Sequence, residues 1–505
     1  MRPRLYLACV LAVGALLAAC DDTQQQASGP RADADGILHY GGLRFEPCSL
    51  AGSGNTTVRA QCSSLAVPEN PDDPEGRQIE LAIALVAADG MAQPDPVYMI
   101  AGGPGQSALE TYPMLHAAFA DVRRSRHVIL VDARGTGGSN PLHCPLDEDD
   151  PVLALTGEEA EAATLEFTRR CRAQLEQVAD LRFYTTGEHV RDLDAVRQAL
   201  GVDRINLVGV SYGTRVAQQY AATYPDHTRA LVLDSVAPNS LVLGQEHARN
   251  LEDALETHFA RCREDRACVA NLGDPREQLG LVRERLQAGG IGPVRYRDPV
   301  DGQWREDVPR FGHLAGLLRM YPYQPTMASM LPLLLHEAAQ GRYESLLAQA
   351  RMTYRNLGDS IAMGMSLSVT CSEDAPDFDT RAGDDGTVLG DTFLAMMDEQ
   401  CGLWPRGSRA EGFRAPLEGD VPVLAISGEF DPVTPPRYGD EVVGHLPNGR
   451  HLVLPGQGHS VLSTGCMPKL FAQFIESADA HAIDDACLQR LRPAPPFAGH
   501  YGWEP

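Results

Sequence analysis

Between residues 78 and 236, short apolar runs alternate with amphipathic stretches, and this order limits the possible folds more than any other feature of the chain. The runs, such as "IELAIALVAA", "INLVGVS" and "ALVLDSV", predict strands. In the stretch 187–201, Leu193, Val196 and Leu200 recur at helical spacing and predict a helix. Strands that alternate with helices predict an α/β fold, in which helices cover both faces of a mostly parallel sheet.

The pattern changes after residue 240. Residues 241–415 are largely helical in pattern, whereas residues 416–505 return to strands followed by turns, as in "VPVLAISGEFDPVTP". We therefore expect residues 37–240 and 416–505 to form one core, with residues 241–415 inserted as a helical lid over the strand ends. The Met and Leu positions of the insertion predict core packing rather than a cofactor site.

The first twenty residues predict a secretion signal, because two arginines precede an apolar run too short to span a bilayer. The run ends in "LAAC", which resembles a bacterial lipobox with Cys20 as the lipidated residue; simple cleavage after Ala19 is the alternative. Asp21 resembles an inner-membrane retention signal, and residues 21–36 predict a flexible tether. We expect an envelope protein that faces the periplasm on a lipid anchor, or a secreted one if the lipobox is not used.

Ten of the twelve cysteines lie beyond the signal, and an even number suits disulfides in an oxidising compartment. Neighbour pairing is the simplest of many connectivities: Cys48–Cys62, Cys144–Cys171, Cys262–Cys268, Cys371–Cys401 and Cys466–Cys487. The absence of zinc-type spacing argues against a metal site, and no cofactor is predicted. A net charge of -25 disfavours nucleic acid as a partner. The oligomeric state stays open.

A GxSxG motif at residues 209–213 places Ser211 between an apolar run and an amphipathic stretch. In a chain with 48 glycines the motif alone could be chance, but a strand before it and a helix after it predict a nucleophile elbow. The sharp turn would expose the Ser211 hydroxyl above the sheet edge, at the N-terminus of a helix. We therefore predict that Ser211 is a nucleophile.

A serine hydroxyl needs a base and an orienting carboxylate. Asp431 follows the apolar run in "LAISGEFDPVTP", and His459 follows the next one, in "LVLPGQGHSVL". The order Ser211, Asp431, His459 is typical of the α/β-hydrolase fold. For Asp431 the alternative is a turn residue before a proline, and Glu429 is the competing carboxylate.

The glycines of "MIAGGPGQS" follow a predicted strand and precede the elbow in the chain. Bare backbone at these glycines would let N–H groups approach a substrate closely. We predict that the oxyanion donors are the N–H groups of Gly103 and Tyr212, the residue after the nucleophile. The alternative is a plain Gly/Pro turn.

Together these segments resemble the proline iminopeptidase and tripeptidyl aminopeptidase group of α/β-hydrolase serine peptidases. The resemblance rests on "GGPG" at 102–105, "DARGTGGS" at 132–139, "GVSYGTRVAQQYAATYP", "GEFDPVTP" and "GQGH". The "SYGT" elbow, "VTCSEDA" at 369–375, "CGLWP" at 401–405 and the cysteines are similar to the secreted tripeptidyl branch. The iminopeptidases have histidine before "GGPG", whereas this chain has Ala101, so their substrate preference does not transfer.

The resemblance implies removal of one or a few residues from a free peptide N-terminus through an acyl-enzyme. Such an enzyme can recognise the substrate ammonium with a buried carboxylate, for which Glu373 is the candidate. The alternative for Glu373 is a solvated acid in the run "SEDAPDFD". Ester hydrolysis would use the same triad, so a carboxylic ester hydrolase is the alternative function.

Overall fold

The computed structural model describes residues 29–34, 37–52, 56–144, 158–358, 360–379, 384–499 and 502. The predicted signal with Cys20 and most of the predicted tether lie outside these residues. The strands are β1 (Arg31–Ala32), β2 (Leu38–Tyr40), β3 (Leu43–Ala51), β4 (Thr57–Pro68), β5 (Gln78–Val86), β6 (Val97–Ile100), β7 (Val128–Val131), β8 (Ile205–Val210), β9 (Thr228–Asp234), β10 (Val294–Arg297), β11 (Trp304–Asp307), β12 (Val423–Gly428) and β13 (Gly449–Leu454).

The α-helices follow the same chain order. They are α1 (Ala108–Leu115), α2 (Glu158–Leu175), α3 (Thr186–Ala199), α4 (Tyr212–Thr223), α5 (His247–Glu264), α6 (Arg266–Leu272), α7 (Pro275–Ala288), α8 (Phe311–Met320), α9 (Pro325–Ala328), α10 (Leu331–Ala339), α11 (Glu344–Gly358), α12 (Met363–Glu373), α13 (Thr392–Leu403), α14 (Pro436–Val443) and α15 (Met467–Ser477). No helix in the described ranges is both long and apolar enough to cross a bilayer.

One large sheet organises the core, in the order β1-β2-β3-β4-β5-β7-β6-β8-β9-β12-β13. The strands from β7 to β13 in this order pair in parallel, which confirms the predicted α/β architecture. The strands β1 to β5 add an antiparallel extension; the sequence analysis predicted β5 as a strand, but it predicted neither β1 to β4 nor the antiparallel pairing. The carboxyl ends of the parallel strands therefore meet at one edge of the sheet, where ligands bind in open α/β folds.

Each parallel strand packs against helices on both faces of the sheet. In β6, Tyr98 and Ile100 belong to the hydrophobic cluster that includes α3 and α4. Val97 and Met99 point the other way, into the cluster that includes α1 and α15. Because both faces are covered, the strands are continuously apolar, which is the pattern that the sequence displays.

The segment between β9 and β12, which includes the predicted lid, carries helices α5 to α13. Most of them share a separate cluster that contains Leu255, Leu314, Leu335 and Leu346. Two features differ from the prediction: the polar strands β10 and β11 form an antiparallel hairpin within the lid, and α12 packs into the core cluster through side chains such as Val369.

Five disulfides join neighbours in sequence, and they are the five pairs that the sequence analysis favoured. They are Cys48–Cys62, Cys144–Cys171, Cys262–Cys268, Cys371–Cys401 and Cys466–Cys487. The pair Cys371–Cys401 ties α12 to α13, and Cys466–Cys487 fixes the C-terminal segment to the start of α15. All five bonds are local: two lie within residues 241–415 and three within the rest of the chain.

Candidate active site

Ser211 lies at the sharp turn between β8 and α4, with a backbone φ of 55° and ψ of -123°. A positive φ strains the backbone of a residue that has a side chain. Such strain is expected at the serine of a nucleophile elbow. A Cβ on Gly209 would lie 2.3 Å from the carbonyl oxygen of Gly213, and one on Gly213 would lie 2.5 Å from that of Ile100. The two motif glycines are therefore required by close backbone packing, and they leave the side chain of Ser211 at the strand end.

His459 and Asp431 come together at the same edge of the sheet. The Asp431 carboxylate accepts a hydrogen bond from Nδ1 of His459 at 2.8 Å, and further bonds from the backbone N–H groups of Val433 and Thr434. Burial raises the pKa of Asp431, but the imidazole and these donors outweigh burial and keep the pKa below its ordinary value. The competing carboxylate, Glu429, is exposed and instead accepts a bond from the N–H of Gly456.

Asp431 in turn controls the protonation of His459, which is 8% exposed. Burial lowers the pKa of the imidazole, whereas the charge and hydrogen bond of Asp431 raise it, and the balance lies above the ordinary histidine value. With Nδ1 bonded to Asp431, Nε2 is the nitrogen left to exchange a proton. The ring also packs edge-on against Tyr323, at 5.0 Å between centroids, and this contact fixes its plane.

Asp234, at the end of β9, supports the His459 loop and was missed by the sequence analysis. Its carboxylate accepts hydrogen bonds from the backbone N–H groups of Val461 at 2.9 Å and Leu462 at 3.0 Å. Burial, the larger effect, raises the pKa of Asp234 to about 6. An acidic residue at the end of an apolar strand was the available signal, because that position lies at the functional edge of the sheet.

The glycine loop after β6 lies beside the elbow. A Cβ on Gly102 would lie 3.1 Å from Cβ of Ser211, so only a bare backbone permits this approach. Among the described residues, neither the N–H of Gly103 nor that of Tyr212 donates a hydrogen bond to another group. Asp132 braces the loop by accepting bonds from the Ser107 hydroxyl at 2.6 Å and the N–H of Leu109 at 3.0 Å.

A cavity of about 1670 Å³ opens between this edge of the sheet and the lid. Its lining includes Ser211, His459 and both predicted oxyanion donors on the core side. Helices α8, α11 and α13 supply much of the opposite wall, which includes three methionines, two aromatic side chains and three arginines. The volume exceeds the roughly 300–1,000 Å³ of an ordinary small-molecule site, so the cavity can take more than a single small group.

Comparison with known proteins identifies the family. The model for the alpha/beta hydrolase fold matches residues 95–267, and the model for TAP-like proteins matches residues 387–487. A tripeptidyl aminopeptidase from Streptomyces lividans is 31% identical over 90% of this chain and 88% of its own length. The chain belongs to the tripeptidyl aminopeptidase group of α/β hydrolases. It is thus an enzyme, a serine peptidase-like hydrolase.

Two further relatives of this hydrolase have other names. Serine protease Hip1 from Mycobacterium tuberculosis H37Rv is 27% identical over 84% of this chain and 86% of its own length. Carboxylesterase B from Mycobacterium tuberculosis CDC 1551 is 31% identical over 86% of each chain. The group therefore includes members named for peptide and for ester hydrolysis.

Glu373, the candidate for recognition of the substrate amine, is buried beside Thr186. The residue ends α12 and is 1% exposed, so it is neither a solvated acid nor part of the cavity wall. Its two oxygens accept hydrogen bonds from the N–H of Thr186 at 2.6 Å and from the hydroxyl of Thr186 at 2.7 Å. The Thr186 hydroxyl also bonds the hydroxyl of Tyr212 at 2.7 Å. Glu373 therefore supports the residue after Ser211 from below.

Proposed function

We propose that this hydrolase is a serine aminopeptidase that releases short peptides from free N-termini through an acyl-enzyme. The observation that carries the proposal is the similarity to a tripeptidyl aminopeptidase along 90% of the chain. The lid supports it, because a cavity covered by helices admits a chain end more readily than the middle of a folded protein.

In the proposed mechanism Ser211 attacks the scissile carbonyl while His459 takes the hydroxyl proton. The N–H groups of Gly103 and Tyr212 stabilise the oxyanion, helped by the positive end of α4. His459 then donates the proton to the leaving amine, and water, activated by the same imidazole, releases the acyl group. Asp431 holds the ring and stabilises its charged form throughout both steps.

Ester hydrolysis is the second candidate, favoured by the 31% identity to the protein named carboxylesterase B. The residues that form the acyl-enzyme are the same for both reactions, so the substrate side of the cavity decides between them. A peptide would leave through a protonated amine, which needs His459 as an acid, whereas a phenolate leaves without that help.

The test compares free and N-acetylated chromogenic peptides of the same sequence with p-nitrophenyl esters. We expect the free peptides to be cleaved at higher kcat/KM than the acetylated ones. Equal rates would contradict an aminopeptidase, and turnover of esters alone would favour the second candidate. Ser211→Ala should lower kcat by at least roughly 10³-fold on every substrate while the protein stays folded; retained activity would remove Ser211 from the mechanism.

A further inference from the structure

The charges that line the cavity are opposite in sign to the charge of the whole protein. The chain carries a net charge of -25. Among the described residues the ionised side chains that line the cavity, histidines apart, are three arginines and one aspartate: Arg319, Arg351, Arg355 and Asp307. A positive cavity in a negative protein favours a substrate with a negative group.

Most of these side chains already have partners. Asp307 accepts a hydrogen bond from the Tyr296 hydroxyl at 2.5 Å, and Arg351 forms an ion pair with Asp298 at 2.5 Å. Arg355 is also engaged. Arg319 differs, since it forms no hydrogen bond or ion pair with any residue in the described part of the chain.

Arg319 is held in place by stacking alone. Its guanidinium lies over the ring of Phe393, 4.6 Å from the centroid, and the ring of Phe393 also stacks with His247 at 5.9 Å. Stacking fixes the plane of the guanidinium and leaves its N–H donors unused. All three side chains line the cavity, so these donors face a space that a substrate can enter.

Tyr323 connects the end of α8 with the proposed base. Arg319 lies in the last turn of α8, and the turn that follows carries Tyr323, whose ring packs against His459. His247 is near both charges: burial, the largest effect, and the charges of Arg319 and His459 together lower its pKa to about 3. His247 is thus neutral and does not compete with Arg319 for an anion.

We propose that Arg319 is a specificity-determining residue that binds a carboxylate of the substrate. Arg suits this role because its planar donors match a carboxylate in two parallel hydrogen bonds, which are strong where water is excluded. In a peptide the carboxylate comes from an acidic side chain or from the C-terminus of a short substrate. The peptide form of the proposal rests on the proposed function; the carboxylate preference itself needs only serine hydrolase chemistry.

The test uses matched substrate pairs that differ in a carboxylate or its primary amide. One arm compares free-amine tripeptide p-nitroanilides with Glu or Gln at each position in turn. A second compares pentaalanine with its C-terminal amide. A third compares p-nitrophenyl esters whose acyl chain ends in a carboxylate or an amide. We expect a preference of roughly tenfold or more for the carboxylate in at least one arm, which corresponds to one good charge-assisted bond.

The variants assign the preference to the side chain. Arg319→Met keeps the length and apolar contact but removes the donors, so the ratio of kcat/KM within a pair should fall to about one. Arg319→Lys keeps the charge but loses the planar pair of guanidinium donors. This variant should therefore retain part of the kcat/KM preference for the carboxylate substrate. Arg295→Met is the matched control, since Arg295 stacks on Trp304 in the same way on the exposed hairpin, outside the cavity; it should change no ratio.

The outcomes test the role of Arg319 separately from the proposed aminopeptidase activity. Equal turnover within every pair, or an unchanged ratio in Arg319→Met, overturns the role of Arg319. If no peptide is cleaved but the ester pair shows the preference and loses it in Arg319→Met, the aminopeptidase proposal fails and the role of Arg319 stands. Thermal melts and far-UV circular dichroism of each variant confirm that it is folded.

Discussion

At the scale of single residues, the pairing of Asp431 with His459 determines how the proposed reaction depends on pH. Burial alone would keep the imidazole neutral, yet Asp431 raises its pKa above the ordinary value. A base must be unprotonated to accept the Ser211 proton, so kcat/KM should rise with pH through this raised pKa. The Asp431 carboxylate thus sets both the orientation of the His459 ring and the position of the acid limb, which is the pH range in which kcat/KM rises from its low value in acid.

We expect Asp431→Asn to move the acid limb of the kcat/KM profile to lower pH, because His459 loses the charge and the hydrogen bond of Asp431 that raise its pKa, while burial still lowers the pKa and only the charge of Asp234 still raises it. The plateau should fall by roughly 10⁴-fold, since the ring loses its orientation and its charged form loses its partner. Rate profiles between pH 4.5 and 9 measure both effects. Glu429→Gln is the matched control and should leave the profile unchanged; a shift of the limb to higher pH in Asp431→Asn would contradict the assignment.

The buried carboxyl group of Glu373 makes the stability of the folded protein depend on pH. Burial, the largest effect, and the neighbouring Asp374 raise its pKa to about 7. The folded protein therefore holds a proton that the unfolded chain loses above the ordinary carboxyl pKa of about 4.3, and stability falls as pH rises from there to about 7. This contribution is on the order of 3 kcal/mol.

Glutamine cannot titrate, so Glu373→Gln should make the fall in unfolding free energy between pH 4.5 and 7.5 shallower. Thermal or urea unfolding at several pH values measures the slope. Glu411→Gln, an exposed glutamate nearby in the chain, is the control and should keep the parent slope. If Glu373→Gln raised KM for free-amine peptides but left esters unaffected, Glu373 would bind the substrate amine after all; a structural role changes both in proportion.

At the scale of elements, a buried ion network joins the nucleophile helix to both ends of the lid. Arg215 of α4 pairs with Asp374 at 3.1 Å, and both side chains are 0% exposed. Asp374 also pairs with Arg414 at 2.9 Å and accepts a bond from the N–H of Leu243 at 2.9 Å. The network thus fixes the segment that enters the lid and the segment that leaves it to one point on α4.

Removing one member leaves the other charge buried without its partner, so Asp374→Ala should lower the free energy of unfolding by about 3–5 kcal/mol. Asp377→Ala is the control: its carboxylate is 34% exposed and pairs with Arg409 and Arg414, so about 1 kcal/mol or less is expected. Urea unfolding measures both. A neutral double variant, Arg215→Met with Asp374→Leu, should recover most of the loss, and failure to do so would contradict an electrostatic cause.

The elements that the sequence predicted are those that packing makes uniformly apolar. Strands β6, β7 and β8 are buried along their whole length, so their composition alone marks them. Strands β3 and β11 alternate exposed and partly or fully buried positions and carry charged residues, so a search for apolar runs passes over them. Ser211 and Asp431 were predictable because each follows such a strand, and His459 because it follows the apolar end of β13 in the fixed chain order.

The supporting residues were not predictable in the same way, because their partners are distant in the chain. Asp234 bonds to Val461, 227 residues away, and Glu373 bonds to Thr186, 187 residues away. No local pattern encodes these contacts. The sequence analysis named Glu373 as the candidate that recognises the substrate ammonium. Only the fold shows that Glu373 bonds to Thr186, which in turn bonds to Tyr212, and that it is not among the residues that line the cavity.

At the scale of the whole molecule, the disulfides are the feature that bears on the compartment, and we propose that the protein works outside the reducing cytoplasm. Five disulfides tie segments 6 to 30 residues apart, in both the core and the lid. Such bonds persist in oxidising compartments such as the bacterial periplasm. Two of the bonds lie within the inserted segment, and the Arg215–Asp374 ion pair joins that segment to α4.

The N-terminal sequence predicts how this enzyme is held in that compartment. After cleavage before Cys20, a lipidated Cys20 and the polar residues 21–36 would tether the hydrolase to a membrane surface. Intact mass of the protein expressed with its natural N-terminus should show diacylglycerol and a further acyl chain on Cys20, and the activity should fractionate with membranes. Cys20→Ser should release active enzyme into the soluble fraction, with kcat/KM unchanged because Cys20 belongs to neither the candidate triad nor the predicted oxyanion hole. An unmodified N-terminus in the membrane-free fraction would show instead that the enzyme is secreted.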